Sequence, residues 1–112
     1  MKNTIEAVGS IREEVYIYGT GLAAQMGCRA LEKLSVNCMG FIEADEEKWG
    51  HMLCEKEIKG LAQVLPEQQI LIMANPEYKI HERLNRAGYY KWVYVDPEIL
   101  REYAVWGGGK IF

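Results

Sequence analysis

Val15-Tyr16-Ile17-Tyr18-Gly19-Thr20-Gly21-Leu22-Ala23-Ala24 is the stretch that decides the fold. The apolar run Val15 to Tyr18 reads as a strand. Glycines follow at 19 and 21, and a small residue, Ala24, stands three places later. In a G-x-G-x-x-A turn between a strand and a helix, each small residue has its own task. The first glycine permits the tight turn, the second lets backbone approach a phosphate, and the third position lets helix pack close to strand. Behind the turn, Ala23, Met26, Gly27, Ala30, Leu31 and Leu34 recur three and four apart. That spacing predicts a helix to about Leu34, with Gln25, Arg29, Glu32 and Lys33 on its other face.

Working outward, Ile5, Val8 and Ile11 predict a short amphipathic helix over 3–12, capped by Asn3 or Thr4. Residues 36–42 read as a second strand, followed by an acidic loop at 43–47 and a short extended piece, Met52-Leu53. Ile58, Leu61, Ala62 and Leu65 predict a helix over 55–65, stopped by Pro66. Residues 69–74 form an almost unbroken apolar run, as expected of a strand covered on both faces. Asn75-Pro76 has the residue types that open a helix, here with Ile80, Leu84 and Ala87 as its buried stripe and Gly88 as its stop. Residues 91–95 read as the last strand, and Asp96-Pro97 opens a short helix to about Tyr103. The alternation predicts an α/β class, a Rossmann-like three-layer α/β/α arrangement on a parallel sheet. Right-handed crossovers favour strand order 3-2-1-4-5, with Met52-Leu53 as strand 3. A single domain over 1–112 is expected, with its core at 14–103 and a tail at 104–112.

The formal net charge is −3, which speaks against bulk nucleic-acid binding, so no nucleic-acid partner is expected. No apolar run approaches the roughly 18 residues that span a bilayer, and residues 1–6 lack the apolar core of a signal peptide. The expectation is a cytoplasmic protein without a membrane partner. Cys28, Cys38 and Cys54 fit no zinc spacing and read as small buried hydrophobes. His51 and His81 have no ligand-like neighbours, so no metal is expected.

In an open parallel sheet, ligands bind beyond the carboxyl ends of the strands, where strand order reverses. Here two loops meet at that point, residues 19–23 and 74–78. Both lead into helices, whose free amides and dipole favour an anion such as a phosphate or diphosphate. The candidate phosphate contacts are Gly19, Thr20, Gly21, Leu22, Ala23 and Asn75; Lys79, one turn further on, is within reach of a phosphate but reads first as a solvated helix-face lysine. Glu43 ends the second strand, where a carboxylate can accept hydrogen bonds from ribose hydroxyls, and Asp45 is its substitute. A carboxylate there disfavours a 2′-phosphate and hence NADP.

No Ser-His-Asp set, Tyr-x-x-x-Lys pair or tuned carboxylate pair is evident, and no catalytic residue is assigned. Tyr89, Tyr90, Trp92, Tyr94 and Trp106 gather around the last strand and tail. They read either as core packing on an edge strand or as an interface with a second copy, domain or subunit.

These residues carry a family resemblance. Residues 15–21, then Gly40-Phe41-Ile42-Glu43, then residues 70–76, resemble a small Rossmann-like domain of bacterial sugar metabolism. It is similar to the N-terminal domain of sugar O- and N-acyltransferases acting on nucleotide-linked amino sugars. It is equally similar to accessory domains of methyltransferases and glycosyltransferases in surface-polysaccharide pathways. The resemblance covers about residues 14–96 and implies a nucleotide-sugar held by Gly19, Thr20, Gly21 and Glu43. The chain departs from that pattern at Leu22-Ala23-Ala24, which replaces a more polar continuation, and at Glu43, where Asp is common. It also lacks the left-handed β-helix domain that supplies acetyl-CoA binding and the catalytic base, so acyltransferase activity is not expected.

Three readings follow. The first is a nucleotide or nucleotide-sugar binding module, non-catalytic by itself. The second is an NAD-binding oxidoreductase or epimerase fragment. The third is a ligand-free interaction module, in which Leu22 fills the phosphate position.

Overall fold

The structure, a computed structural model, describes residues 5–96 together with 98 and 99. Its elements are α1 (Ile5–Gly9), β1 (Val15–Tyr18), α2 (Leu22–Lys33), β2 (Cys38–Ile42), β3 (Met52–Leu53), β4 (Lys56–Lys59), β5 (Gln69–Ile72), α3 (Ile80–Arg86) and β6 (Trp92–Tyr94). The sheet runs β3-β4-β2-β1-β5-β6. β1 lies at the centre, parallel to β2 on one side and to β5 on the other. β4 and β6 extend the parallel sheet outward, and β3 pairs antiparallel to β4 at one edge.

The expected class and the reversal of strand order at β1 are both present, with two corrections. The third parallel strand is Lys56–Lys59, and Met52–Leu53 is its antiparallel edge partner. The helix expected over 55–65 is absent: Leu61–Gln63 makes a single 3₁₀ turn after β4. The reason lies in the hairpin that joins β3 to β4. Cys54 and Glu55 both take left-handed backbone angles, φ 51° and 64°. That is the mirror-image turn whose twist suits a two-residue hairpin. Neither residue is Gly or Asn, so the sequence carries no turn signal. Of the supposed helical stripe only Ile58 is buried, while Ala62 is exposed and Leu65 is 60% exposed.

Both faces of the central strands are covered, which explains their unbroken apolar sequence. Val15, Ile17, Phe41 and Leu71 face the side closed by α1 and α2, where they meet Val8, Ile11, Ala24, Cys28 and Leu31. Tyr16, Tyr18, Ile42, Ile70 and Ile72 face the other side, against Ile80 and Leu84 of α3. A fully buried Leu84 contributes about 1.5–3 kcal/mol by leaving water. Cys28 and Cys38 are buried in the first layer, and Cys54 is partly buried against it. A hydrogen bond with Cys38 and burial push the Cys28 thiol well above its ordinary value, so it packs as a neutral group.

α3 begins later than the Asn75-Pro76 signal suggests. Pro76–Tyr78 forms a 3₁₀ turn capped by Asn75, and Lys79 then turns the chain at φ 53° before Ile80 opens the helix. Ala87, expected in the buried stripe, is exposed beyond the end of α3. The aromatic group follows the packing alternative at Tyr89, Trp92 and Tyr94. Tyr89 is a core residue whose hydroxyl lies 2.8 and 2.6 Å from the Leu61 and Val64 carbonyls. Tyr94 meets His81 at 2.8 Å, Trp92 donates to Asn85, and Tyr90 alone of these is largely exposed. Trp106, the Asn3 or Thr4 cap and most of the helix expected to Tyr103 lie outside the described residues, although the Asp96 carboxylate does accept the Glu98 amide at 2.9 Å. Among the described residues no helix is long and apolar enough to cross a membrane.

One close approach fixes the spacing of β2 and β4. A Cβ at Gly40 would stand 2.6 Å from the Glu57 carbonyl oxygen, on backbone that cannot swing aside. Gly40→Ala is therefore expected to destabilise the fold by about 1–3 kcal/mol, read as a lower urea midpoint with an unchanged slope.

Candidate functional site

At the end of β1 the chain turns out of the sheet. The Gly19 amide donates to the Ile42 carbonyl at 3.0 Å, and Met73 donates to the Tyr18 carbonyl at 3.1 Å, so β1 is paired to its last residue. Gly19 then takes φ +125°, with its Cα facing the Met73 carbonyl so closely that a Cβ would sit 3.0 Å from that oxygen. Only glycine adopts this angle without strain. Gly21 caps α2 with extended backbone and no side-chain hydrogen bond. The first amides of α2 are thus left without a capping side chain, at the positive end of the helix dipole. Space beside Gly21 is open: a Cβ there would meet nothing within 4 Å.

The turn forms one wall of a cleft of about 600 Å³ at the point where strand order reverses. Gly19, Thr20, Gly21, Leu22, Ala23, Glu43 and Asn75 all line it. The chosen residues are therefore brought together, with one exception. Asp45 does not line the cleft: it caps the 3₁₀ turn Glu46–Lys48 by accepting the Glu47 amide at 3.0 Å, and it is corrected to a structural role. Leu22 lines the cleft at its rim and is 71% exposed.

Glu43 is held from several sides. The Thr20 hydroxyl donates to its Oε1 at 2.6 Å, the Asp45 amide donates to Oε2 at 3.2 Å, and Lys48 Nζ lies 3.8 Å from Oε1. Its backbone carbonyl accepts the Trp49 indole at 2.7 Å. Burial pushes the carboxyl up, but the Thr20 and Asp45 hydrogen bonds and Lys48 outweigh it and hold Glu43 below its ordinary value. The group is an anion at neutral pH, oriented by its neighbours and retaining acceptor sites toward the cleft.

Sequence reading missed the cation. Lys79 sits in the left-handed turn before α3 and does not line the cleft, whereas Arg83, one turn later, does. Arg83 Nη1 donates to the Tyr18 hydroxyl at 3.3 Å. The signal was present: strand-order reversal sets α3 beside the glycine turn, and Arg83 adjoins the buried Leu84. Tyr78, 68% exposed, forms the aromatic side of the rim. Among the described residues no group of three or more His, Cys, Asp or Glu is placed to hold a metal ion.

No protein-family model matches the chain, and no curated protein matches it. Solved structures do. UDP-D-quinovosamine 4-dehydrogenase from Vibrio fischeri is 15% identical, with a TM-score of 0.56 over 77% of this chain and 80% of that one. RSP, a Rex-family repressor, is 15% identical, with a TM-score of 0.57 over 80% of this chain and 56% of the repressor. The same repressor in complex with NAD+ and operator DNA is 17% identical, with a TM-score of 0.53 over 73% of this chain and 49% of that one. The chain thus spans about half of the repressor's length. At these identities the likeness establishes the fold, a Rossmann-like α/β sheet. It also corrects the expectation that nucleic acid is excluded as a partner, since a protein with this fold is solved on operator DNA.

The Glu43 environment predicts a pH signature. Its folded pKa is lowered, so its contribution is full above the unfolded value of about 4.3 and is lost as pH falls through the lower folded value. Glu43→Gln is expected to lower the urea midpoint at neutral pH, with the gap to the parent protein narrowing at acid pH. A gap of equal size at both pH values contradicts the stabilised carboxylate.

Proposed function

We propose that this chain binds a nucleotide at the carboxyl edge of its sheet, as one Rossmann-like domain that does no chemistry by itself. One observation carries the reading: the Thr20 hydroxyl and the Glu43 carboxylate are joined at 2.6 Å across the mouth of an uncapped helix. That link places an oriented anion, suited to ribose hydroxyls, beside free amides suited to a phosphate. A phosphate approaches over Gly21, where nothing obstructs it, and Asn75, whose Oδ1 accepts the Glu77 amide, lines the same cleft. The open cleft favours a ligand over the ligand-free reading, because its volume falls within the range of small-molecule sites.

Two ligand classes are supported to about the same degree. NAD(H) is supported by likeness to a repressor solved with NAD+ and with NADH. A nucleotide-sugar, of the kind used in surface-polysaccharide pathways, is supported by likeness to a UDP-sugar dehydrogenase and by the Gly40-Phe41-Ile42-Glu43 strand ending. The Glu43 carboxylate weighs against a 2′-phosphate in either class.

Calorimetric titration with NAD+, NADH, UDP and UDP-sugars tests the reading and separates the classes. Glu43→Ala is expected to weaken binding about tenfold, or ~1.4 kcal/mol. Gly21→Val is expected to fold, since its space is open and its backbone angle ordinary, while its side chain blocks the phosphate. Absence of binding by every probe at about millimolar concentration overturns the proposal.

A further inference from the structure

Arg83 is the one cationic side chain lining the cleft among the described residues. It makes no ion pair among them, although carboxylates stand nearby in sequence at Glu77 and Glu82. An unpaired arginine on a surface is ordinary. What distinguishes this one is the buried anchor that holds it. Tyr18 is only 4% exposed, and its hydroxyl accepts from Arg83 at 3.3 Å. No acceptor for the Tyr18 proton exists among the described residues, although a buried phenol ordinarily has one. Tyr18 itself lines the cleft, so that proton is available to a ligand there.

The position matters as much as the charge. Tyr18 is the last residue of β1, and its side chain lies in the layer beneath α3. The glycine turn leads instead to α2, which covers the opposite face. The two donor sets therefore flank the sheet edge from opposite layers, with the cleft between them. Glu43, on the neighbouring strand end, bonds Thr20 of the glycine turn rather than Arg83. A ligand with its ribose at Glu43 and its first phosphate on the α2 amides meets Arg83 next.

We propose that Arg83 and Tyr18 form a second anion subsite that receives the distal phosphate of a nucleoside diphosphate. The inference rests on the nucleotide reading above and sharpens it: the site selects diphosphates over monophosphates. The guanidinium retains further N–H donors beyond the one on Tyr18, and together with the phenol proton they suit phosphate oxygens.

The test is the ratio of affinities for ADP and AMP, and for UDP and UMP, by calorimetry on the full chain. The parent protein is expected to prefer each diphosphate by about tenfold or more. Arg83→Gln should bring the ratio close to one, and Arg83→Lys and Tyr18→Phe should give intermediate ratios. Glu43→Ala should weaken both partners of each pair and leave the ratio standing. Unchanged thermal midpoints for the exposed Arg83 variants separate lost recognition from lost folding. No preference in the parent protein, or a preference that survives Arg83→Gln, overturns this inference and leaves the nucleotide reading intact. Failure of all four nucleotides to bind overturns this inference, and failure of NAD+, NADH and the UDP-sugars as well overturns both.

Discussion

The carboxyl edge of this sheet depends on one backbone angle. At Gly19 the chain leaves β1 at φ +125°, facing the Met73 carbonyl across a gap too small for a side chain. β1 is hydrogen-bonded to β2 and β5 up to that residue, so it cannot drift to relieve a misplaced turn. The angle swings the chain away from the strand axis and aims the amino end of α2 at the sheet edge. Because β1 is also where strand order reverses, the loops on its two sides lead to opposite layers and leave a cleft between them. The phosphate-suited amides, the open space over Gly21 and the reach from Thr20 to Glu43 all follow from this turn.

The parts of the fold legible in the sequence are those where burial on two faces dictates composition. Residues 15–18 and 69–72 are apolar at nearly every position because α1 and α2 cover one face and α3 the other. The β3–β4 hairpin was not legible for the opposite reason. It lies at the sheet edge, where few residues are buried, and its turn uses Cys54 and Glu55 in angles that Gly or Asn usually takes. Ile58, Leu61, Ala62 and Leu65 fall at helical spacing, yet most of them are not core residues. A period in the sequence predicts a helix only where the apolar positions have something to cover.

The site divides along a similar line. Glu43 was legible because it is tied to an end of a strand, and strand ends are fixed by the sheet. Arg83 was not, because its direction depends on the phase of α3. That phase is reset by Lys79, whose left-handed angle separates the 3₁₀ turn from the helix. Counting from Asn75 points Lys79 toward the cleft. Counting from Ile80, the first buried residue of α3, leaves Lys79 outside and brings Arg83 to the wall. One residue of positive φ thus sets an arginine anchored on a buried tyrosine, rather than a lysine, at the cleft wall.

Net charge is a poor guide to such a surface. A value of −3 averages over the whole chain, whereas the cleft sets an oriented carboxylate at Glu43 and a guanidinium at Arg83, without an ion pair among the described residues, within one volume of about 600 Å³. Recognition responds to that local arrangement, since exposed charges beyond about 10 Å are largely screened at ordinary salt. Backbone geometry survives at 15–19% identity among the similar structures, so side chains must carry what differs between them. In this chain two hydrogen-bonded pairs, Thr20 with Glu43 and Tyr18 with Arg83, stand on either side of the Gly19 turn.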